Sequence, residues 1–500
     1  MTAVKTAEEA AAAISGREWR LLVGGDLRPA GSGRTFATES PATGVVIAQV
    51  PDGGAEDVDA AVGAGESAWP EWSEATPRER AGVVRELAGV LRDNADELAT
   101  LDALDAGMPI RGALKDVELA AATIELFCDY ASVLGGATVP ASRGNLHFTT
   151  RMPFGVVGRI VPFNHPLMFT AAKMAAPLVA GNSVVVKPPE QAPLSALRLG
   201  ELLADRLPGG VLSIVVGSSP ETGRALVRDP RVHRIGFIGS ERTGRAIQRD
   251  SAETGVKDVT LELGGKNALI VFPDADLAAT AAGVVAGMNF TPSVGQSCGS
   301  TSRVVVHRDV HDELVAAVVE RVGQLRLGDP LDPDTDIGPL AFRGQYDKTV
   351  TYLDVAVSEG ATVAAGGGRP PGEGFTAGHF FEPTVLTGVR PHMRIAQEEV
   401  FGPLLSVLEF ASEADAIAIA NGVGYGLTGS IWTRDLDRAH RVATALRTGY
   451  VWINGASRHF LGLPFGGVKA SGVGREECLD ELLSYTQLKS THIMLGGPDV

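Results

Sequence analysis

The chain has 500 residues, of which 44% are hydrophobic and 21% charged, and its formal net charge is −16. This length is enough for two or three domains with cores of their own, and the composition is ordinary for a globular protein. The acidic charge is spread along the chain, which argues against a nucleic-acid partner because such a partner needs a concentrated basic face.

Cysteine content and apolar runs narrow the protein class further. Three cysteines, Cys128, Cys298 and Cys478, are too few and too scattered for a disulfide framework or a zinc site. We therefore expect a reducing compartment and no metal. No apolar run approaches the roughly 18 residues of a membrane span, and the first residues lack a signal-peptide pattern. The sequence thus predicts a cytoplasmic protein without a membrane partner.

The first 150 residues predict a short β region followed by helices. The predicted elements are an extension over 1–18, a strand over 19–23, a hairpin over 36–50 that turns near 41–44, two helices, and a further helix over 112–134. The second of the two helices has the clearest start, with Thr76 as the N-cap and Pro77 in the first turn.

From residue 154 onward, short apolar runs alternate with helical stretches. The predicted strands cover 154–161, 183–187, 212–216 and 234–238, and the helices between them cover 168–180, 194–207 and 221–228. This alternation indicates a doubly wound parallel sheet, which binds ligands at the carboxyl ends of its strands. A second alternating series runs from 268–272 to about 464, and the tail over 484–495 predicts an edge strand of the kind that pairs with another subunit.

The turn Gly295–Gly299 is the first candidate for chemistry. It holds Cys298 between a helical run over 276–288 and a strand over 303–307. Glycines on both sides allow a bound molecule to approach the backbone closely. A thiol at such a turn is a candidate nucleophile, although a buried inert thiol fits the same pattern about equally well.

Two further residues have the chemistry of catalytic groups. Glu262 lies between two leucines at the end of an apolar run, where burial would raise its pKa and suit a base that activates water. Asn164 lies just past a strand end, between two prolines, where its amide could donate to an oxyanion together with the N–H of Cys298. Alone, each residue also fits a structural role, such as a carboxylate bonded to nearby amides or a turn asparagine.

The residues at the ends of two predicted strands have the chemistry to bind a dinucleotide. Lys187 ends a strand and Glu190 follows it, and the pair could bind the two hydroxyls of an adenosine ribose. A carboxylate there would repel a 2′-phosphate, which favours NAD over NADP. The stretch Gly236–Gly244 reads as a strand, a glycine turn and a helix start, where amides can meet a pyrophosphate. The usual Gly-x-Gly-x-x-Gly fingerprint is absent after the early strands.

Taken together, these motifs resemble those of the NAD(P)-dependent aldehyde dehydrogenase superfamily. Seven stretches fall in the order and approximate spacing of that family: Asn164, Lys187, Gly239-Ser240, Leu261–Lys266, Gly295–Cys298, Glu399–Pro403 and Pro464–Gly467. The resemblance extends from about residue 20 to about residue 495.

The resemblance implies an α/β fold of two doubly wound domains with a small β oligomerisation element. The implied parts are an NAD-binding domain of residues 1–131 and 152–262, a catalytic domain of residues 263–468, and an oligomerisation element of residues 132–151 and 469–500. It also implies a homodimer or homotetramer.

By the same resemblance, the protein oxidises an aldehyde to a carboxylic acid with NAD, and NADP is possible. Cys298 would form a thiohemiacetal whose oxyanion is held by Asn164, and loss of hydride would leave a thioester that Glu262 hydrolyses through water. The presence of Glu262 favours hydrolysis over acyl transfer to coenzyme A. The implied cofactor residues are Ile160, Pro162, Phe163, Lys187, Glu190, Gly239, Ser240, Gly244, Leu263, Glu399 and Phe401.

The substrate residues implied by the resemblance lie after Asn164 and near the C-terminus. They are His165, Met168, Phe169, Ala172, Ser457, Arg458, His459 and Phe465. Ala172 is small, which suggests a wide mouth, while His165, Arg458 and His459 make the tunnel polar. We therefore expect an aldehyde with a polar or anionic far end, or a medium-sized aromatic aldehyde. The alternative is that these polar side chains simply face solvent.

The sequence departs from the family pattern at two places. Phe163 replaces the usual tryptophan before the oxyanion asparagine, which keeps an apolar wall. The segment Thr291–Val294 carries a proline and is slightly longer than usual, and we expect it to reshape the tunnel.

Two other functions fit the candidate residues. A Cys/Glu thioesterase or amidase would keep the thiol and would not depend on NAD. A non-catalytic homologue would be expected to have lost Cys298 or Glu262, and both are present.

Overall fold

The computed structural model describes residue 10 and residues 14–495. Over this range the strands are β1 (Leu21–Val23), β2 (Asp26–Arg28), β3 (Thr35–Glu39), β4 (Val46–Pro51), β5 (Leu146–Pro153), β6 (Val156–Ile160), β7 (Ser183–Lys187), β8 (Leu212–Ile214), β9 (Val232–Ile238), β10 (Asp258–Glu262), β11 (Ala268–Val271), β12 (Arg303–His307), β13 (Thr362–Ala365), β14 (Thr384–Thr387), β15 (Leu404–Phe410), β16 (Thr428–Trp432), β17 (Tyr450–Ile453), β18 (Gly472–Val473) and β19 (Thr486–Ile493). Most of the extension expected over 1–18 lies outside the described residues.

The helices connect these strands and cover the sheets. They are α1 (Ala55–Glu74), α2 (Pro77–Asp93), α3 (Ala95–Ala106), α4 (Ile110–Asp129), α5 (Pro166–Ala180), α6 (Leu194–Leu203), α7 (Pro220–Arg228), α8 (Glu241–Thr254), α9 (Leu277–Gly287), α10 (Phe290–Ser293), α11 (His311–Gly323), α12 (Arg343–Ser358), α13 (Arg394–Gln397), α14 (Glu413–Asn421), α15 (Leu436–Ala445) and α16 (Leu479–Leu483). Short 3₁₀ turns occupy Tyr130–Val133, Arg308–Val310, Glu373–Phe375 and Lys469–Ser471. Within the described part of the chain, no helix is long and apolar enough to cross a membrane.

An eight-stranded sheet runs in the order β18-β10-β9-β6-β7-β8-β1-β2. Its five central strands are parallel, and the outer strands β18, β1 and β2 join it antiparallel. Two apolar clusters, built from this sheet and its helices, bury its strand residues. The predicted doubly wound parallel sheet is confirmed, because near-continuous apolar strands such as β7 are buried on both faces.

A seven-stranded sheet follows, in the order β13-β14-β15-β12-β11-β16-β17. All neighbours are parallel except β13 and β14. This sheet too buries an apolar cluster on each side. The second alternating series predicted from residue 268 is therefore confirmed.

Local sequence patterns predicted the start of helix α2 but did not predict helix α3. Helix α2 begins at the predicted cap, where the Thr76 hydroxyl accepts from the N–H of Glu79 and the Glu79 carboxylate accepts from the N–H of Thr76. Helix α3 was not predicted, because it is buried on nearly all sides and lacks an amphipathic pattern. Its buried Asp102 and Asp105 accept hydrogen bonds from backbone N–H groups at the starts of α5 and α6.

Two antiparallel pairs stand apart from the large sheets. The predicted hairpin over 36–50 is confirmed as β3 and β4. The predicted C-terminal strand is present as β19, which pairs along its whole length with β5 of the same chain. Its pairing with another subunit stays a prediction.

The segment after residue 468 returns to the first sheet before it reaches β19. Strand β18 hydrogen-bonds to β10, which places Gly472 opposite Glu262. The next residues carry Glu476, whose carboxylate accepts from the guanidinium of the fully buried Arg159 at 2.9 Å and lies 2.9 Å from the ammonium of Lys173. Arg159 also donates to the hydroxyl of Tyr485 at 2.6 Å. Buried ion pairs thus anchor this segment to β6 and α5, while the domain boundaries stay a prediction.

Removing Arg159 should destabilise the fold strongly. Arg159→Leu leaves Glu476 buried with one cation fewer, and breaking a buried pair in this way costs about 3–5 kcal/mol. The measurement is the free energy of unfolding from urea titration. Arg343→Leu is the matched control, since Arg343 pairs with Asp347 on the exposed surface of α12 and such pairs contribute about 0–1 kcal/mol. Equal stability of the two variants would contradict the anchoring role.

Candidate active site

The carboxyl edge of the first sheet gathers the ends of four parallel strands. The strand register places Ile160 opposite Lys187 on one side and opposite Phe237 on the other. On the next strand, Glu262 lies opposite Ile238. The segments that follow these strand ends therefore start side by side, which is where a doubly wound sheet binds ligands.

The cysteine turn is held by Asn267, which directly precedes β11, and by Thr428, the first residue of β16. Asn267 donates from Nδ2 to the carbonyl of Cys298 at 2.7 Å and to that of Ser300 at 2.9 Å. The hydroxyl of Thr428 donates to the carbonyl of Gly299 at 3.3 Å. These bonds fix the backbone of the turn, so the position of the thiol is set by β11 and β16.

The segment before the cysteine is a short helix between two left-handed residues. Helix α10 contains Pro292, and Asn289 and Val294 flank it with φ angles of 56° and 54°. A left-handed conformation is unusual for a β-branched residue such as Val294. The proline-bearing departure from the family pattern thus coincides with strained backbone just before Cys298.

Cys298 is half-buried against an apolar cluster of four side chains: Leu427, Tyr450, Trp452 and Phe465. Burial raises the pKa of its thiol to about 12, and the charges of Glu262, Glu399 and Glu477 add to this effect. The thiol is therefore protonated at neutral pH and needs a base before it can act as a nucleophile.

Glu262 is 5% exposed at the end of β10. Among the described residues, neither of its carboxylate oxygens has a hydrogen-bond partner. Burial raises its pKa well above the ordinary value, the charge of Glu476 adds to this rise, and Lys173 and Arg475 oppose it. A buried carboxyl without partners is costly, and such groups are concentrated at functional sites.

Asn164 is buried just past the end of β6. It lines a small cavity together with Phe163, Val294 and Gln296, so its amide lies beside the segment that leads into Cys298. The Phe163 ring meets that of Phe401 edge to face, with centroids 5.8 Å apart. The sequence patterns for the cysteine and the asparagine are thus brought to the same region.

The residues expected at the adenosine end lie along the carboxyl edge. The ammonium of Lys187 is 2.7 Å from Oε2 of Glu190. Burial alone would raise the pKa of Glu190, but the charge and hydrogen bond of Lys187 hold it below the ordinary value. Ser240 caps α8 by accepting from the N–H of Thr243 at 3.3 Å, next to Gly239.

Close packing fixes the start of α8 against the end of β10. A Cβ atom on Gly244 would lie 2.9 Å from Cδ2 of Leu263. Leu263 is itself held by the hydrogen bond from its N–H to the carbonyl of Ser471. Ile160 ends β6, which is separated from β10 by β9, and Pro162 follows it after Val161.

Glu399 reaches the same region from the second sheet. Its Oε1 accepts from the N–H of Gly265 at 3.0 Å, and burial raises its pKa. It lines a small cavity with Gly295 and Ser297, so it lies next to the cysteine turn. Phe401 has a φ of 62°, and its carbonyl accepts a hydrogen bond from a neighbouring glutamine side chain.

Two of the expected substrate residues are histidines paired with carboxylates. Nδ1 of His165 is 2.6 Å from Oδ2 of Asp116, a residue of α4. Nδ1 of His459 lies 3.1 and 3.3 Å from the two carboxylate oxygens of Glu477. Both imidazoles are partly buried, so the alternative of freely solvated histidines does not fit them.

The other expected substrate residues differ in their surroundings. Arg458 is exposed, with its guanidinium 4.9 Å from the centre of the Phe460 ring. The hydroxyl of Ser457 donates to Oδ1 of Asn289 at 2.6 Å. Ala172 lies in the buried apolar core, whereas Met168, Phe169 and Phe465 range from half-buried to buried. Arg458 is thus the one member of this set whose side chain is largely in solvent.

Three side chains near the site were not predicted from the sequence. Asn267 follows the motif of Glu262 directly, and an amide in a glycine-rich turn could have drawn attention. No sequence pattern indicated Asp116 or Glu477, because each is distant in sequence from the histidine that it contacts. Asp116 is 49 residues from His165, and Glu477 is 18 residues from His459. Among the described residues, no cluster of three or more His, Cys, Asp or Glu side chains could hold a metal.

Comparison with known proteins gives consistent relatives. Residues 28–491 match the aldehyde dehydrogenase family. Aldehyde dehydrogenase tropH from Talaromyces stipitatus is 45% identical over 470 residues, which cover 92% of this chain and 90% of that protein. The NAD+ complex of aldehyde dehydrogenase from Bacillus cereus is 39% identical, with a TM-score of 0.93 over 96% of this chain and 98% of the other.

A second solved structure is betaine aldehyde dehydrogenase from Staphylococcus aureus in complex with NAD+. It is 34% identical, with a TM-score of 0.95 over 99% of this chain and 98% of the other. Sequence and fold therefore agree along nearly the whole length. The chain belongs to the aldehyde dehydrogenase family.

Proposed function

We propose that this enzyme oxidises an aldehyde to a carboxylic acid with NAD, through a thioester on Cys298 that is hydrolysed by water activated by Glu262. The observation that carries the proposal is Glu262 itself, buried without a hydrogen-bond partner among the described residues and close enough for its charge to raise the pKa of Cys298. Family membership supports the reaction class.

The residues along the carboxyl edge fit a dinucleotide. Lys187 and Glu190 form a paired cation and anion that suit ribose hydroxyls, and the capped start of α8 after Ser240 suits a pyrophosphate. Glu399 lies next to the cysteine turn, where it would hold the nicotinamide ribose beside Phe401. Relatives solved with NAD+ support the same cofactor here. When bound, NAD accepts the hydride that the thiohemiacetal carbon loses.

The first half of the reaction needs a nucleophile and an oxyanion donor. Glu262 has a raised pKa, so it can take the thiol proton of Cys298, and the sulfur then bonds to the aldehyde carbon. The oxygen that becomes negative would accept hydrogen bonds from the Asn164 amide and the Cys298 N–H. Loss of hydride from the same carbon leaves a thioester.

The second half of the reaction releases the acid. Glu262 first passes the thiol proton to solvent and then removes a proton from water. The water oxygen bonds to the thioester carbon, the C–S bond breaks to give the carboxylic acid, and the leaving Cys298 sulfur takes the proton back from Glu262. The negative charge of Glu476 favours this role. It disfavours the ionised form of the nearby Glu262, which raises the pKa of Glu262 and makes it a stronger base.

The organisation of the chain is part of the proposal. We assign cofactor binding to residues 1–131 and 152–262, catalysis to 263–468, and oligomerisation to 132–151 with 469–500. The pairing of β5 with β19 supports the last element, since the two strands form a ribbon of their own. Within the 469–500 segment, Gly472 and Val473 pair with the first sheet before the chain reaches β19. The three free cysteines fit a reducing cytoplasm.

Cys298 and Glu262 should have separable roles. Cys298→Ala should lower the rate of NADH formation at least about 1,000-fold, because the nucleophile is lost. Glu262→Gln should lower steady-state turnover about 100- to 10,000-fold, the range for a general base. Because Glu262 also takes the thiol proton, acylation should slow as well, but each NADH formed should leave an acyl group on Cys298, measured by intact mass, since hydrolysis has lost its base.

Cys128→Ala is the matched control, since Cys128 is buried in α4 away from the cysteine turn. It should keep its activity. No NADH from any aldehyde with the unaltered enzyme would refute the dehydrogenase function and leave a thioesterase or amidase. Free turnover by Glu262→Gln would remove that residue from the hydrolytic step.

The raised pKa of Cys298 predicts an unusual pH profile for the free enzyme. Burial, and to a lesser extent nearby negative charges, disfavour the thiolate, so the rate of alkylation by iodoacetamide should keep rising from pH 7 to 10, whereas the rate for glutathione levels off near its ordinary pKa. Glu399→Gln removes one of these charges, which should lower the thiol pKa and shift the profile to lower pH. Mass spectrometry of the Cys298 peptide gives the rates, and an unshifted profile would argue against this electrostatic control.

Glu190 should set the cofactor preference. Glu190→Gln removes the carboxylate that would repel a 2′-phosphate, so kcat/KM for NADP should rise about tenfold, equivalent to about 1.4 kcal/mol. The value for NAD should fall, because a ribose hydroxyl loses its acceptor. Steady-state kinetics with both cofactors measure this, and Glu221→Gln on the surface of α7 serves as the control. An unchanged ratio would exclude Glu190 as the discriminating residue.

A further inference from the structure

The imidazole of His459 is fixed from several sides. Its ring centre lies 4.4 Å from that of Phe465, at an angle of 33°, and 6.0 Å from that of Tyr450, at 21°. Its Nδ1 is within hydrogen-bond distance of the Glu477 carboxylate. The ring faces and one nitrogen are thus occupied, and among the residues that the structure describes no partner hydrogen-bonds to Nε2.

Glu477 determines which nitrogen carries the ring proton. Both oxygens of Glu477 lie within hydrogen-bond distance of Nδ1 of His459, and the pKa of Glu477 stays below the ordinary value although the group is buried, so the group is a carboxylate. A carboxylate only accepts hydrogen bonds, so Nδ1 must carry the proton. In the neutral ring, Nε2 is therefore a hydrogen-bond acceptor.

Glu477 is itself held in place by the backbone. Its φ angle is 64°, in the left-handed region that non-glycine residues seldom adopt. Its N–H donates to Oε2 of Glu481 at 2.7 Å, and its carbonyl accepts from the N–H of Gly462 at 2.9 Å. Such conformations persist where the surrounding structure enforces them, often at functional sites.

The free nitrogen lies beside the cysteine turn. Nε2 of His459 is 3.9 Å from the position that a Cβ would take on Gly299, the residue after Cys298. The aromatic residues that pack on Cys298 include Phe465, which also packs on the His459 ring. A flat molecule whose aldehyde carbon is at the thiol would thus lie along an aromatic wall with one acceptor atom in it.

We propose that Glu477 is a positioning residue for His459, and that Nε2 of His459 selects aromatic aldehydes that carry a neutral hydroxyl group. This inference rests on the proposed dehydrogenase function and names its substrate class. The hydroxyl donates to Nε2 while the ring packs along Phe465 and its neighbours. The sequence predicted a polar, anionic or aromatic aldehyde, and this proposal selects hydroxylated aromatic aldehydes from that range.

The charges around the thiol favour a neutral hydroxyl over a carboxylate. Glu262, Glu399 and Glu477 all raise the pKa of Cys298, so the region around the thiol disfavours negative charge. An anionic substrate would meet the same repulsion. A site built to accept one hydrogen bond also discriminates strongly against an analogue that lacks the donor, because its buried acceptor is left unpaired.

The test compares matched hydroxy and methoxy substrates. The 2-, 3- and 4-hydroxybenzaldehydes and their methoxy counterparts are assayed with NAD at pH 7, where the phenols keep their protons, with 4-carboxybenzaldehyde as the anionic arm. For the preferred isomer we expect kcat/KM for the hydroxy compound to exceed that for the methoxy compound at least about tenfold, mainly through KM. The ratio should fall to about one in His459→Phe, which lacks Nε2, and should fall part of the way in Glu477→Gln.

The two variants act differently on the same atom. His459→Phe keeps a ring and removes Nε2. Glu477→Gln keeps the size of the side chain and replaces a carboxylate, which only accepts, by an amide that can donate or accept, so Nδ1 is no longer required to carry the ring proton. Glu477→Gln therefore carries the test should His459→Phe disturb packing. His440→Phe, on the exposed surface of α15, is the control and should keep the ratio of the unaltered enzyme.

A second readout does not need turnover. Without cofactor, phenol and anisole compete with iodoacetamide for access to Cys298, and phenol should protect at the lower concentration in the unaltered enzyme, a difference that should be smaller in the variants. This separates a failure of hydroxyl recognition from a failure of the dehydrogenase function. An unchanged hydroxy-to-methoxy ratio in both variants would overturn the proposal. A preference for 4-carboxybenzaldehyde that His459→Phe abolishes would also overturn it, in favour of a charged imidazolium.

Discussion

The burial of an unpaired carboxyl group at the end of β10 is the constraint on which the site depends. Glu262 would be solvated on an open strand end, but β9 pairs with one side of its strand and β18 with the other. A Cβ on Gly466 would lie 2.6 Å from Oε1 of Glu262, so this glycine closes over the carboxyl group. The resulting desolvation raises the pKa of Glu262, and burial of the thiol, together with the charge of Glu262 when it is ionised, raises the pKa of Cys298.

The ion pairs beneath this carboxyl group hold the arrangement together. Glu476 keeps its charge, with a pKa of about 2, because Arg159 and Lys173 outweigh the effect of its burial. The same residue fixes the strand segment that closes over Glu262 and contributes the negative charge that raises its pKa. Stability and acid–base chemistry are thus coupled through one buried carboxylate. Hydrophobic substitution of this network would change the reactivity of Glu262 as well as the stability of the fold.

The two histidines of the proposed substrate side each have a carboxylate partner, whereas Glu262 on the proposed catalytic side has no hydrogen-bond partner among the described residues. His165 and His459 each have one nitrogen bound by an acid, so their tautomers and ring orientations are fixed by neighbours outside the site. Asp116 and Glu477 determine what the imidazoles can recognise, although neither needs to touch a substrate. Under the proposed function, specificity would therefore depend on Asp116 and Glu477, which lie behind the two histidines, as well as on the histidines themselves.

The sequence by itself determined the elements and the motifs, because both depend on short stretches of chain. Buried apolar strands such as 183–187 and 303–307, and the cap of α2 at Thr76, were predictable from local composition. The stretches around Asn164, Glu262 and Cys298 indicated the family before any contact was known, while their roles stay a proposal.

Only the tertiary structure decided how distant segments complete the site. Helix α3 has no amphipathic pattern, since its polar side chains meet the starts of other helices in the interior. The return of Gly472 to the first sheet, and the pairing of His459 with Glu477, depend on hydrogen bonds between residues far apart in sequence or on a backbone in an unusual conformation. No local pattern encodes such pairs, because their free energy arises only when burial removes the competing hydrogen bonds to water.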